Sequence, residues 1–196
     1  MGASTGGPSA LQKMLGDLPS EYPLPIMVVQ HMPPVFTRQF ATRLDRNTQL
    51  SAREAEEGDR LEPGRILVAP GGTHLALADE GGVRVRIRAR SDGDRYVPSV
   101  DVTMSCAADF FGARAVGVLL TGMGNDGAQG MLRIAKAGGK TIAESEESAV
   151  VYGMPRAAVQ AGAAQSVLHL DLIPHKVLDV TSQITRLKKE KGGVSN

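Results

Sequence analysis

The sequence predicts an α/β fold: a doubly wound, mostly parallel sheet flanked by helices, with one antiparallel hairpin excursion. Apolar runs of strand length alternate along the chain with amphipathic stretches of helix length, which is typical of α/β proteins. Several of the apolar runs are continuous, as expected for strands that are buried on both faces. The segments HLALAD and VRVRIRAR are separated by a glycine-rich turn, which predicts the hairpin.

Each predicted element has a local justification in the chain. The first helix starts at Pro8, where the opening glycines end, and its apolar residues recur at helical spacing. The later strands are short apolar runs, and the later helices repeat apolar residues every three or four positions. The predicted strands cover 25–30, 65–70, 74–79, 83–90, 113–122, 140–144 and 166–170, and the predicted helices cover 8–18, 34–47, 100–111, 126–139, 154–162 and 172–190.

Composition limits the domain organisation and the classes of function. With 196 residues the chain is long enough for one sizeable core, and we expect a single domain over 1–191 with a disordered tail at 192–196. The formal net charge of +1 gives no reason to expect nucleic acid as a partner. A single cysteine argues for a reducing compartment. Since neither a membrane-spanning run nor a signal peptide is recognised, we expect a cytoplasmic protein without direct membrane insertion.

Three loops lie at predicted strand ends, at the sheet edge where doubly wound folds bind ligands. They are GASTGGP at 2–8, QHMPP at 30–34 and TGMGNDGAQG at 121–130. Each has a plain structural explanation on its own. The first fits a tight turn between strand and helix, His31 fits a hydrogen-bonded strand end, and Asp126 fits a helix N-cap.

Taken together, the three loops supply the side chains of a hydrolytic triad. Gly2 and Gly6 flank Ser4 at the spacing of a nucleophile elbow, where a sharp turn leaves no room for side chains beside the serine. The following helix directs its free N–H groups toward that serine, where they can stabilise an oxyanion. His31 is placed as the general base, and Asp126 can orient its ring.

Two other enzyme classes fit the opening loop less well. A phosphate-binding loop would need the Lys-Ser/Thr pair of a P-loop or the glycine pattern of a dinucleotide fold, and the loop has neither. An α/β-hydrolase would place several strands before the elbow and would run serine, acid, histidine. This chain runs Ser4, His31, Asp126, which indicates a different kind of hydrolase. No metal or organic cofactor is expected, because the triad itself supplies the nucleophile and the base.

The remaining reactive side chains are expected to be structural. We interpret His74, His169 and His175 as structural or exposed, and Cys106 as a residue of the core. Arginines alternate with apolar residues over 84–90, so one face of that strand is basic. Two interpretations remain open: a solvated edge strand protected by its charges, or a docking face for an acidic receptor helix bundle or a receiver domain.

Six phrases carry a resemblance to a known family: GASTGGP, VVQHMPP, APGGTHL, PSVDV, LLTGMGNDGAQGM and VVYGMPRAA. In that order and spacing they resemble the catalytic domain of the chemotaxis receptor methylesterases, the CheB family, over essentially the whole chain. The resemblance implies removal of methyl esters from glutamate side chains on the cytoplasmic part of chemoreceptors. It also implies deamidation of particular glutamines there.

The resemblance assigns residues as well. It gives the serine, histidine and aspartate the same roles of nucleophile, base and partner that the loops indicate. It further implies that Thr5 and Met123 line the site, beside Gly6, and help to hold the oxyanion. No metal or cofactor is implied.

Two departures from the family pattern are visible. Glu144 stands where family members usually carry a glutamine, which bears on substrate contacts rather than on the triad. The family domain usually follows a receiver domain, so we expect that domain as a partner that is missing from this chain. The competing hypothesis is a catalytically silent docking or regulatory module, and the presence of all three triad residue types argues against it.

Overall fold

Seven parallel strands form the central sheet of the computed structural model, which describes the backbone of residues 1–192 and the side chains of residues 1–186. Numbered in chain order together with the two hairpin strands, the strands are β1 (Gly2–Ala3), β2 (Ile26–Gln30), β3 (Ser51–Glu54), β4 (Arg65–Val68), β5 (Thr73–Asp79), β6 (Val83–Ala89), β7 (Val116–Leu119), β8 (Lys140–Glu144) and β9 (Ser166–Leu168). The sheet order is β3-β4-β2-β1-β7-β8-β9. The predicted doubly wound, mostly parallel sheet is therefore confirmed.

Helices cover both faces of this sheet. Over the described residues they are α1 (Gly7–Gly16), α2 (Pro34–Asn47), α3 (Val100–Phe111), α4 (Ala128–Lys136), α5 (Met154–Gln160) and α6 (Ile173–Gly192), with short 3-10 turns at Gly112–Arg114 and Leu170–Leu172. One apolar core lies between the sheet and α1, α2 and α6, and a second lies between the sheet and α3, α4 and α5.

Successive residues of the central strands divide between the two cores. Val28 of β2 and Leu120 directly after β7 belong to the first core, whereas Val29 and Leu119 belong to the second. All four side chains are almost completely buried. Because both faces of the sheet are covered, these strands read as continuous apolar runs, which is why the sequence predicts them.

Besides the two-residue β1, which falls within the predicted opening loop, sequence patterning missed β3. It reads SARE, and none of its four residues is buried, because it lies at the edge of the sheet. An edge strand of polar residues lacks the apolar run that predicts a buried strand.

β5 and β6 form the predicted antiparallel hairpin as a small sheet of their own. On β6, Val85 is buried while Arg86 and Arg88 are exposed, so the predicted basic face is present. The backbone of Val85 also bonds to Gly58 and Asp59, which partly covers the outer edge of the hairpin. The docking interpretation of the basic face stays a prediction.

The prediction that Cys106 lies in the core is wrong, and the prediction of a disordered C-terminal tail falls almost entirely outside the described residues. Cys106 is partly exposed rather than in the core. The buried face of α3 includes Val100, Met104 and Ala108, because this helix is apolar on more than one side and spacing alone did not identify its inner face. The predicted tail over 192–196 lies outside the described residues, apart from Gly192 at the end of α6.

The order of the strands reverses at β1. β2 lies on one side of β1 and β7 on the other, and such a reversal opens a crevice at the carboxyl ends of the strands. The three loops singled out in the sequence begin at this crevice. A separate apolar cavity of about 520 Å³, lined in part by Tyr22, Leu61 and Phe111, contains none of the candidate site residues.

Candidate active site

Ser4 lies on a sharp turn between β1 and α1. Its N–H donates to the Thr121 carbonyl at 3.0 Å, and its carbonyl accepts from the Gly7 N–H at 2.8 Å. Gly6, the N-cap of α1, has a φ of 80°, in the left-handed region that favours glycine. A side chain there would also come within 2.7 Å of Val150. The serine is therefore held at the amino end of a helix.

His31 follows β2 and is bonded to Asp126. The His31 N–H donates to the Ala3 carbonyl at 3.1 Å, which sets the histidine beside the turn that carries Ser4. Its ring Nε2 lies 2.7 Å from Asp126 Oδ2. Because Nε2 is engaged, Nδ1 is the ring nitrogen left to accept a proton. The Ser4 hydroxyl has no hydrogen-bond partner within the described chain, so the structure forms the histidine–aspartate half of the predicted triad and not its serine–histidine bond.

Asp126 is a buried carboxylate at the amino end of α3. Its Oδ1 accepts from the Ser99 hydroxyl at 2.9 Å and the Asp101 N–H at 3.0 Å, and its Oδ2 accepts from the Val100 N–H at 2.7 Å. Burial acts to raise the pKa of Asp126, but hydrogen bonds from His31 and from these donors hold the pKa below its usual value. The group therefore stays ionised beside His31.

The N-cap interpretation of Asp126 is not what the structure shows. The N-cap of α4 is Gly127, which has no side chain with which to cap the helix. Asp126 instead satisfies the free N–H groups of α3, a helix that is distant in sequence. Its neighbour Asp101 accepts from the Gly130 N–H at 2.7 Å, and burial raises the pKa of Asp101.

Tyr96 covers the His31 ring. The two rings are stacked, with centroids 5.0 Å apart and planes 7° from parallel. The Tyr96 hydroxyl donates to Asn125 at 3.3 Å, and the Arg95 guanidinium lies 5.3 Å from the centre of the tyrosine ring. Sequence reasoning missed Tyr96, because it lies in an irregular segment with no periodicity that relates it to His31.

Gln30 connects the turn that carries Ser4 to the loop that carries His31. This side chain is almost completely buried, and its Nε2 donates to the Ser4 carbonyl at 2.9 Å and to the His31 carbonyl at 3.1 Å. Sequence reasoning missed it too. The available signal was a polar residue at the end of an apolar strand, directly before the candidate base.

Glu144 is a buried carboxylate that binds the loop after β7. It is fully buried, its Oε2 accepts from the Thr121 N–H at 2.8 Å, and its Oε1 accepts from the Ser148 hydroxyl at 2.9 Å. The Thr121 hydroxyl donates to the Thr5 carbonyl at 2.9 Å. Glu144 is therefore linked through Thr121 to the turn that carries Ser4.

Backbone N–H groups near Ser4 are available to an oxyanion. Those of Thr5, Gly6 and Met123 meet no acceptor among the described residues. Close packing fixes the loop that carries Met123, since a Cβ on the preceding residue, Gly122, would lie 2.8 Å from the Ser4 Cβ and would overlap Met154. The predicted oxyanion residues thus lie on two loops that are locked together.

Large apolar side chains are exposed at the start of α2 and on two loops that contact the turn of Ser4. Val35 and Phe36 are 70% and 50% exposed at the start of α2, and Met123 and Val150 are 67% and 70% exposed. Val150 packs against Gly6, and Met123 follows the glycine that contacts Ser4. Grouped exposed apolar residues of this kind are typical of contact surfaces for other macromolecules.

The burial of the other three histidines agrees with their interpretation as structural or exposed residues. His74 is fully buried, and His169 and His175 are at the surface. Among the described side chains, no group of three or more histidine, cysteine or acidic residues is arranged to hold a metal ion. No helix within residues 1–192 combines the length and apolar character needed to cross a membrane.

Comparison with known proteins identifies the family. A sequence profile described as CheB methylesterase matches residues 1–177. The chain belongs to the CheB methylesterase family. The resemblance carried by the six sequence phrases is therefore confirmed.

Curated relatives and a solved structure agree with this assignment. A Geobacter sulfurreducens protein named protein-glutamate methylesterase/protein-glutamine glutaminase 3 is 48% identical over 91% of this chain and 48% of its own length. A similarly named protein of Anaeromyxobacter dehalogenans is 50% identical over 91% of this chain and 53% of its own. The crystal structure of the Thermotoga maritima CheB methylesterase catalytic domain is 41% identical, with a TM-score of 0.88 over 91% of this chain and 95% of that one. The chain spans about half the length of the curated relatives it matches.

Proposed function

We propose that this chain is a serine hydrolase that removes methyl esters from glutamate side chains on the cytoplasmic part of chemoreceptors. The observation that carries the proposal is the bonded pair of His31 and ionised Asp126, which lies beside the helix-capping turn of Ser4. The names of the relatives supply the substrate class, since they are called protein-glutamate methylesterases.

In the first half of the reaction Ser4 is acylated. Asp126 fixes the His31 ring with its proton on Nε2, so Nδ1 takes the proton of the Ser4 hydroxyl as its oxygen attacks the ester carbonyl. The tetrahedral intermediate collapses when His31 returns that proton to the departing methoxy oxygen. Methanol leaves, and the glutamyl group remains as an ester on Ser4.

Backbone groups stabilise the negative charge that forms on the carbonyl oxygen. The N–H groups of Thr5, Gly6 and Met123 are unpaired within the described chain and lie on the loops at Ser4. The amino end of α1 adds its positive dipole. Fixed donors of this kind are worth about 3 to 4 kcal/mol each toward the transition state.

In the second half water releases the product. His31 takes a proton from a water molecule, which attacks the acyl carbonyl, and the same proton is returned to the Ser4 oxygen as the free glutamate departs. A glutamine side chain follows the same two steps with ammonia as the leaving group. We therefore include deamidation of receptor glutamines in the proposal, as the names of the relatives do for those proteins.

The surroundings of Ser4 suit a macromolecular substrate. The exposed apolar side chains of Met123 and Val150 belong to loops that contact the turn of Ser4, where they can pack against a folded partner. A free amino-acid ester would leave these side chains in water.

The test is methanol release from a methylated cytoplasmic receptor fragment. Ser4→Ala removes the nucleophile, so we expect kcat to fall by a factor on the order of 10⁴ to 10⁶, with the unfolding curve unchanged. Ser9→Ala, an exposed serine on α1, is the matched control and should retain full activity. Methanol release by Ser4→Ala at near the unmodified rate would contradict the proposal. An unmodified chain that binds the fragment without releasing methanol would favour the silent docking module.

A further inference from the structure

His74 is a completely buried histidine that the proposed reaction does not use. It lies on β5, and its Nε2 is 2.9 Å from Asp94 Oδ2. Its Nδ1 accepts a hydrogen bond from the Ser99 N–H at 3.2 Å. Because an accepting Nδ1 carries no proton, the proton of the neutral ring is on Nε2 and is donated to Asp94. Each ring nitrogen therefore has its own partner and its own role.

Ser99 connects this histidine to the candidate triad. Its N–H is bonded to His74, and its hydroxyl donates to Asp126 Oδ1 at 2.9 Å. Asp126 in turn holds the His31 ring. A continuous series of bonds thus runs from Asp94 through His74 and Ser99 to the two residues of the triad that the structure pairs.

The same contacts anchor the segment 91–99. Asp94 Oδ2 also accepts from the Ser91 N–H at 2.8 Å. One carboxylate therefore binds both the start of the segment and the His74 ring. This segment carries Tyr96, whose ring stacks on His31, and ends at Ser99. It therefore reaches the site at two points, the imidazole and the carboxylate, and His74 is its buried anchor.

We propose that His74 is a positioning residue of the esterase, which holds Ser99 and Tyr96 where they orient Asp126 and His31. The proposal rests on the proposed function. His74 carries no proton in the reaction, and it acts through the residues bonded to it. A displacement of about 1 Å in a catalytic group can lower a rate by roughly 10²-fold, so the loss of this anchor should be visible in the chemical step.

Two variants separate the two bonds of His74. In His74→Asn, the side-chain oxygen takes the place of Nδ1 and still accepts from Ser99. In His74→Gln, the amide nitrogen takes the place of Nε2 and donates to Asp94, but no acceptor faces Ser99. If the bond to Ser99 orients the triad, Asn is the conservative replacement and Gln the damaging one.

The experiment measures methanol release by the full chain on the methylated receptor fragment and counts active sites by complete labelling of Ser4 with a fluorophosphonate. For His74→Gln we expect kcat per labelled site to fall by roughly 10- to 100-fold with little change in KM, and labelling to slow in parallel. His74→Asn should retain most of the rate. His175→Gln, at an exposed histidine of α6, is the matched control and should behave like the unmodified chain.

The outcomes separate positioning from mere support of the fold. A purely structural role predicts fewer labelled sites with an unchanged kcat per site, and that result overturns the proposal. An equal loss in both variants also overturns it, because the route through Ser99 would then have no effect. If the unmodified chain labels at Ser4 but releases no methanol, the proposed function fails while the labelling rates still decide the role of His74. A Ser4 that does not label at all overturns both.

Discussion

Asp126 serves the proposed chemistry and the stability of the protein through one set of hydrogen bonds. Its carboxylate fixes the tautomer of His31 and also satisfies the backbone donors at the start of α3. A charge that is buried with several donors contributes to folding as long as it remains ionised. The residue proposed to orient the base is therefore also one that the fold depends on.

The ionisation of Asp126 predicts an acid-dependent stability. Its pKa in the folded chain lies below the value of about 3.9 expected in the unfolded chain, because the native hydrogen bonds favour the charged form. The stabilisation is fully present above about pH 4 and is lost as the pH falls through the folded-state pKa. Urea unfolding of Asp126→Asn against the unmodified chain should show a difference in free energy at pH 6 that shrinks below pH 4.

Asp92→Asn, at an exposed aspartate, is the control for this measurement and should leave the pH dependence of stability unchanged. A stability difference for Asp126→Asn that is constant from pH 6 to pH 3, or grows on acidification, would show that the carboxylate is not stabilised in its ionised form.

The residues of the site differ in how far they could be predicted. Ser4, His31 and Asp126 each lie in a loop at a strand end, and their residue types suggest chemistry. Their positions and types together were enough to predict them as site residues. Gln30 and Tyr96 act through contacts across the fold, with carbonyl groups in one case and with an aromatic ring in the other. Such contacts depend on the arrangement of strands and loops, which no local pattern contains.

At the scale of elements, α3 and the hairpin are joined by a buried hydrogen bond. The Thr103 hydroxyl donates to the Leu75 carbonyl at 2.6 Å, and the threonine is almost completely buried. This bond links the helix that holds Asp126 to the strand that carries His74. It therefore helps to hold together the two elements that contact Asp126, α3 directly and β5 through His74 and Ser99.

Thr103→Val should destabilise the protein because it leaves the Leu75 carbonyl without that donor while preserving side-chain volume. We expect a loss of about 1 to 3 kcal/mol in the free energy of unfolding, measured with urea. Thr103→Ser keeps the hydroxyl and should cost less than Thr103→Val. A valine variant as stable as the unmodified chain, or less affected than the serine variant, would contradict a stabilising role for this bond.

The elements that carry a clear apolar pattern were predictable from the sequence. The helix over 34–47 and the strand over 140–144 were predicted with the bounds that the structure gives, because their apolar residues recur with clear periods. β3 has no buried residue and left no pattern. The inner face of α3 was misplaced at Cys106, since apolar residues on several sides of a helix make its orientation depend on its neighbours.

At the scale of the whole molecule, one sheet separates two apolar cores. Leu15 of α1 lies in one core and Met131 of α4 in the other, and both side chains are fully buried. The sheet lies between these two side chains, so they pack against different residues. Their contributions to stability should be nearly independent.

Leu15→Ala and Met131→Ala should each lower the free energy of unfolding by about 2 to 5 kcal/mol, because each leaves a cavity in a packed core. The double variant should equal the sum of the two within about 0.5 kcal/mol, as expected for sites without shared partners. Leu172→Ala, at a side chain that is 54% exposed, is the control and should change stability by less than about 0.5 kcal/mol. A double variant much less stable than the sum would mean that the cores are coupled through the sheet.

The brevity of β1 has a consequence for the motion of the site. The strand has two residues, yet its backbone is bonded to β2 on one side and to the end of β7 on the other. The amide of Ser4 is paired with Thr121, so it can exchange with solvent only when these neighbouring strands separate locally. The backbone of Ser4 can therefore move only together with the middle of the sheet.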